Sequence, residues 1–112
     1  MPHEEQSLLK RSRTDIFAAR ALVERHGAAT YGLARHLLHD ESAAEDATQE
    51  ALMRAFAAAD SFDPSRGTLR TWLLAIVRHA AFEILRERRR ASVVEPATDG
   101  EPLLELGVAA GW

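Results

Sequence analysis

Cysteine is absent from the 112 residues. That removes disulfides and thiolate metal ligands, and it agrees with a reducing compartment. Aromatic residues make up only 6% of the chain, and β-branched residues are few beside Ala, Leu, Arg and Glu, a balance that favours helices throughout. No run approaches the length of a membrane span. The N-terminal Met-Pro-His-Glu-Glu-Gln is polar and acidic, with no apolar signal core behind it. Internal repeats and low-complexity tracts are also missing. These absences lead to the expectation of a soluble, intracellular protein of one domain plus loose ends. Hydrophobic residues, at 46%, suffice for one modest core.

Catalytic apparatus is equally hard to find. The chain contains no H-E-x-x-H or E-x-x-H spacing, Ser/His/Asp arrangement, Gly-rich phosphate loop or nucleophile elbow. His26, His36, His39 and His79 lack an organised acidic partner set, so no metal or cofactor is expected. A helical-bundle enzyme with a His/carboxylate metal site would require stoichiometric bound metal.

What the chain does have is segregated charge. The net of −3 conceals four blocks. Residues 1–39 carry six Lys/Arg against four Asp/Glu, and 40–63 carry seven acids against Arg54. Residues 64–90 carry seven Arg against Glu83 and Glu87, while 91–112 carry four acids and no base. Adjacent acidic and basic blocks suit two partners of opposite charge, or else a charge-sorted solvated surface.

Periodicity predicts an all-α fold, a compact bundle of about four helices with a flexible polar leader over 1–12 and an acidic tail over 92–112. The first helix is expected over 13–26, with Ile16, Phe17, Ala19, Leu22 and Val23 at helical spacing and Gly27 as its stop. A second is expected over 28–39, and His39-Asp40-Glu41 reads as a short turn. Ser42 and Glu45 form an S-x-x-E capping box for a third helix over 43–59. Residues 60–67 hold the strongest breaker signals and read as a loop. Thr68 caps a fourth helix to about Arg90, with Leu69, Trp72, Leu73, Ile76, Val77, Ala80 and Ile84 facing the core. Leu103, Leu104, Leu106, Val108 and Trp112 either dock on the bundle or begin a second domain.

Two helical faces stand apart from packing. On the third helix Ala44, Ala47, Ala51, Leu52, Ala55, Ala58 and Ala59 gather on one side, and Asp46, Gln49, Glu50, Met53 and Ala57 on the other. Acids, an amide and an adaptable thioether there fit a basic partner, or a plain solvated face. On the fourth helix Arg78, Phe82, Arg86 and Arg89 run opposite the core stripe, with His79 and Glu83 on the flank. Arginines with an interleaved aromatic suit a phosphate backbone and unstacked bases. Cations also favour a helix C-terminus, and Phe82 also suits second-face packing.

The stretch from Phe17 to Arg90 resembles region 2 of sigma factors of the extracytoplasmic-function (ECF) group, a branch of the sigma-70 family. Leu-Val-Glu-Arg-His-Gly at 22–27 is similar to the opening helix of that domain. Ser-Ala-Ala-Glu-Asp-Ala-Thr-Gln-Glu-Ala-Leu-Met-Arg-Ala-Phe at 42–56 resembles its polymerase-docking helix. Phe-Asp-Pro-Ser-Arg-Gly-Thr-Leu-Arg-Thr-Trp-Leu-Leu-Ala-Ile at 62–76 resembles its promoter-reading loop and the helix that follows. The resemblance implies a cytoplasmic bacterial transcription initiation factor, not an enzyme, over residues 13–91. It implies that Asp46, Gln49 and Glu50, with Met53 and Arg54 beside them, bind the β′ clamp helices of RNA polymerase. It implies that Ser65, Arg66, Arg70, Arg78, His79, Phe82, Glu83, Arg86 and Arg89 meet the non-template strand of the promoter −10 element. His79 stands where many relatives carry Asn, and Glu83 where Asp is common, so no promoter preference transfers. The family carries a second, helix-turn-helix domain for the −35 element, so an excised domain or a one-domain relative is expected. An anti-sigma regulator is a further implied partner, and a helical module that binds such a regulator without reading DNA is the alternative.

Overall fold

In the computed structural model, which describes residues 2–93, four α-helices follow one another: α1 (Pro2–Arg11), α2 (Ile16–Leu38), α3 (Glu41–Ala57) and α4 (Leu69–Val93). Single 3-10 turns occupy Ala59–Ser61 and Pro64–Arg66 between α3 and α4. The fold is all-α, with no strand among the described residues. The chain forms two units, Met1–Ala81 and Phe82–Trp112, and α4 runs out of the first into the second. The apolar residues expected at 103–112 lie outside the described residues.

The helix boundaries follow from caps. The Asp15 carboxylate accepts from the Phe17 N–H at 2.9 Å and opens α2. At the other end His39 takes a left-handed backbone, φ 55, and its N–H returns to the Arg35 carbonyl at 2.9 Å. The next residue, Asp40, accepts from the N–H groups of Ser42 and Ala43 at 3.0 and 3.4 Å and opens α3. Two consecutive residues therefore stop one helix and start the next. The cap of α3 is Asp40, not the expected Ser42 box, and Glu41 belongs to the helix.

Two further expectations are corrected. The leader expected over 1–12 is helical: Pro2–Arg11 form α1, whose Leu9 is completely buried. Gly27 does not end a helix: α2 runs for 23 residues straight through it. Glycine stops a helix by taking positive φ, and among described non-glycine and glycine residues only His39 and Gly67 do so. Gly32, also inside α2, is exposed, and a Cβ built there would meet nothing within 4 Å. Gly32→Ala should therefore stabilise the domain by about 0.5–1 kcal/mol, chiefly by restricting the unfolded chain. A thermal melt should show Tm rising by roughly 3–6 °C.

The buried stripe of α2 is Ala18, Leu22, His26, Thr30, Ala34 and Leu38. A strict four-residue step drifts on a helix of 3.6 residues per turn, by about 40° each time. The stripe thus winds around α2, which packs on both α1 and α3. Ile16, Phe17 and Val23, expected inside, are exposed. The core of the first unit joins Leu9, Leu22, Ala55, Ala59, Phe62, Leu69 and Leu73, with Leu8, Phe56, Trp72 and Ile76 packed against it. On α3 the buried residues are Ala43, Ala44, Ala47, Ala51 and Ala55, which confirms the expected alanine side.

Candidate functional site

The segment joining α3 to α4 is short and tightly pinned. Phe62 is buried, anchoring its middle to the core. The Asp63 carboxylate accepts from the Ser65 N–H at 3.0 Å and from its hydroxyl at 2.7 Å, which starts the turn Pro64–Arg66. The Ser65 hydroxyl, the Ser65 N–H and the Arg66 charge together hold the Asp63 carboxyl below the usual carboxylate range. Gly67 follows at φ 154, a backbone that favours glycine. The Thr68 hydroxyl then accepts from the Thr71 N–H at 3.1 Å and opens α4, as its position led one to expect.

This geometry borders a cleft, open on one side, of about 290 Å³. Phe62 and Trp72 meet beside it with ring centroids 5.4 Å apart and planes tilted by 46°. Asp63, Arg66, Thr68 and Thr71 bring polar groups to the same space. Trp72 is half-buried, so it serves both the core and the cavity. A second cavity, of about 550 Å³, is bounded by Glu4, Glu5, Arg25, Ser65 and Leu69. Gly67 and Thr68 line both cavities.

Behind that second space lies a charged cluster that sequence reasoning missed. His26, buried on the α2 stripe, places Nε2 2.9 Å from the Glu5 carboxylate. Its Nδ1 accepts from Arg70 Nε at 3.3 Å, and Arg70 Nη2 donates to the Arg25 carbonyl at 2.7 Å. Arg25 pairs with Glu5 at 3.3 Å and Glu4 at 3.7 Å. Burial works against ionisation of Glu5, but the hydrogen bonds from His26 and Arg25 and the Arg25 charge outweigh it and lower its pKa. A carboxyl that ionises more easily in the folded state adds stability at pH above its unfolded value, near 4.5. That stability is lost as pH falls through the lower folded value. Acid titrations followed by circular dichroism should show Glu5→Gln losing this component: less stable than the parent at neutral pH, with the difference vanishing in acid.

The outer side of α3 is as expected: Asp46, Gln49, Glu50 and Met53 are exposed, Met53 at 66%. Arg54, half-buried, donates from Nε to Glu50 at 3.0 Å, so Glu50 is held at the helix surface by its i+4 neighbour. Of the DNA-contact candidates in the first unit, Ser65, Arg66, Arg70, Arg78 and His79 are exposed. Arg70 nevertheless turns two donors inward, as described. In the second unit Glu83 and Arg86 are exposed. Phe82 is buried at 8%, which agrees with the second-face packing weighed for it and not with an open outer face. Arg89 is half-buried, and one Nη is enclosed with no hydrogen-bond partner among the described residues.

Among the described residues there is no cluster of three or more His, Cys, Asp or Glu able to hold a metal ion, and no helix is long and apolar enough to cross a membrane.

Comparison with known proteins adds a family. The model for sigma-70 region 2 matches residues 22–91. The ECF RNA polymerase sigma factor SigK of Mycobacterium sp. (strain KMS) is 31% identical over 78 residues, covering 70% of this chain and 40% of that protein. SigK of Mycolicibacterium vanbaalenii is 30% identical over 93 residues, covering 82% of this chain and 47% of its own. The ECF sigma factor SigC of Mycobacterium tuberculosis is 44% identical over 52 residues, covering 46% and 28%. The chain spans less than half the length of these curated relatives.

Proposed function

Because the chain belongs to the sigma-70 region 2 family, in its ECF branch, we propose that it serves transcription initiation by docking on RNA polymerase core and reading the promoter −10 element as an open strand. The observation that carries this reading is the cavity at Phe62 and Trp72, set beside an exposed Arg66. At about 290 Å³ it lies at the small end of ligand sites, ~300–1,000 Å³, and suits a single base. Unstacking that base costs on the order of a few kcal/mol, and an aromatic wall returns about 1–3 kcal/mol. Trapping a base already out of the stack favours melted over duplex promoter without ATP.

Two surfaces divide the work. The exposed face of α3, with Asp46, Gln49 and Glu50 and their neighbours Met53 and Arg54, binds the β′ clamp helices. Arg66, Arg78 and His79 in the first unit take the non-template strand, with Ser65 at the loop. Glu83, Arg86 and Arg89 of the second unit are further contacts by the same reading, whereas Phe82, being buried, is left out. No catalytic step is required of any residue.

The test is binding of single-stranded −10 oligonucleotides to the chain in complex with polymerase core. Affinity should fall with salt, and Arg66→Ala and Arg78→Ala should each take about 0.7 off the slope of log affinity against log salt. Unchanged slopes in both variants would remove the DNA half of the reading. The exposed Ile16 and Phe17, at 67% and 75%, favour a second reading, a module that docks an anti-sigma regulator; in that case regulator binding survives both substitutions and no oligonucleotide binds.

A further inference from the structure

The contacts of His26 leave its ring one arrangement. A guanidinium Nε always carries hydrogen, so the 3.3 Å approach of Arg70 Nε requires a lone pair on Nδ1. The Glu5 carboxylate, kept ionised, can only accept, so the 2.9 Å contact requires the proton on Nε2. Two neighbours from two different helices therefore select the same neutral tautomer in a ring only 5% exposed. A histidine that merely filled the stripe between Leu22 and Thr30 would need neither.

The far end of this chain of bonds reaches the first turn of α4. Arg70 follows the fully buried Leu69 and is bound to α2 at two points, His26 Nδ1 and the Arg25 carbonyl. The residues just before it, Gly67 and Thr68, are the shared wall of the two cavities. Those just after, Thr71 and Trp72, line the smaller one. Any shift of Arg70 along α2 is passed to this wall through the helix backbone.

We propose that Glu5, His26 and Arg70 are positioning residues for the cavity at Trp72, with Arg70 acting as an inward strut and not as a DNA contact. The N-terminal helix thereby sets the shape of the base pocket from behind. The inference rests on the reading of that cavity as the base pocket, and it changes the role expected of Arg70.

The experiment uses the full chain, first alone and then with polymerase core. Long-range proton–nitrogen NMR of the histidine rings should find His26 protonated at Nε2 and bare at Nδ1 at neutral pH. Arg70→Ala, at an exposed position, and Glu5→Ala should each move the amide resonances of Gly67 and Thr68 and the indole of Trp72 while thermal unfolding stays cooperative. Arg70→Lys keeps the charge, but one ammonium cannot bridge Nδ1 and the Arg25 carbonyl as a fork does, so it should behave like Arg70→Ala. With core present, each variant should bind a single-stranded −10 oligonucleotide about tenfold more weakly, with the salt slope unchanged. Overturning results are a His26 proton on Nδ1, unmoved loop resonances, or rescue by Lys together with an alanine variant whose slope drops by about 0.7, the mark of a phosphate contact. Should the parent bind no oligonucleotide while the loop resonances respond as stated, the base-pocket reading fails and the strut stands.

Discussion

Leu9→Ala will destabilise the domain by about 2–5 kcal/mol, although it lies in a stretch of ten residues whose composition is mostly polar. Leu9 is completely buried and shares its cluster with Leu22, Phe62 and Leu69. Truncation leaves a hole where α1, α2, α4 and the segment at Phe62 meet, and short connections restrict how far they can collapse into it. A domain of this size holds about 5–15 kcal/mol in total, often near the lower figure, so the loss is a large share. Urea unfolding should show the midpoint falling while the slope stays constant. A change below about 0.5 kcal/mol, the level of an ordinary surface substitution, would mean that α1 is not part of the core. Phe62 is in the same cluster, so the variant should also disturb the cavity against Trp72.

Glu50→Lys will weaken binding to a β′ clamp-helix fragment by about 100-fold, the size expected when a charge in a complementary interface is reversed. The substitution is local. Glu50 is exposed and its one described partner is Arg54, four residues on. Placing Lys beside Arg54 costs the helix only about 0.2–0.5 kcal/mol, so the chain should remain folded by circular dichroism. Calorimetric titration of parent and variant separates the effects. Equal affinity in the two proteins would take the acidic face of α3 out of the proposed docking surface.

Legibility in the sequence varied with the contrast between faces. On α3 alanines alternate with acids and amides at helical spacing, so both sides could be assigned from the letters alone. On α4 the stripe from Leu69 to Ala80 is large and apolar, and Thr68 carries a cap signal in the right place. On α2 that contrast is inverted. Its buried stripe contains His26 and Thr30, while Ile16, Phe17 and Val23 face outward, so hydropathy points to the wrong side. Thr30 tolerates complete burial because its hydroxyl donates to the Gly27 carbonyl at 2.9 Å, a bond that no hydropathy scale registers. Gly27 looked like a stop because glycine often is one, but the stop needs positive φ, and here a histidine supplies it at position 39. The α1 helix was hidden because its burial rests on Leu8 and Leu9 alone within a charged run. The His26–Arg70 contact joins residues 44 apart in the chain, and no local pattern announces a pairing of that kind.

The inner side of α3 has a consequence for how this domain can vary. Its five buried residues are all alanine, so glycine excepted, every replacement there adds volume to a space already closed. Truncation, the usual way in which a core loses quality, has nothing to remove, and enlargement costs about 1–3 kcal/mol at a time. Drift along α3 is therefore blocked in one direction by steric ceiling and left open in the other only on its outer face. Improvements in stability must be sought elsewhere, and the exposed face of α3 can change without disturbing how the helix packs.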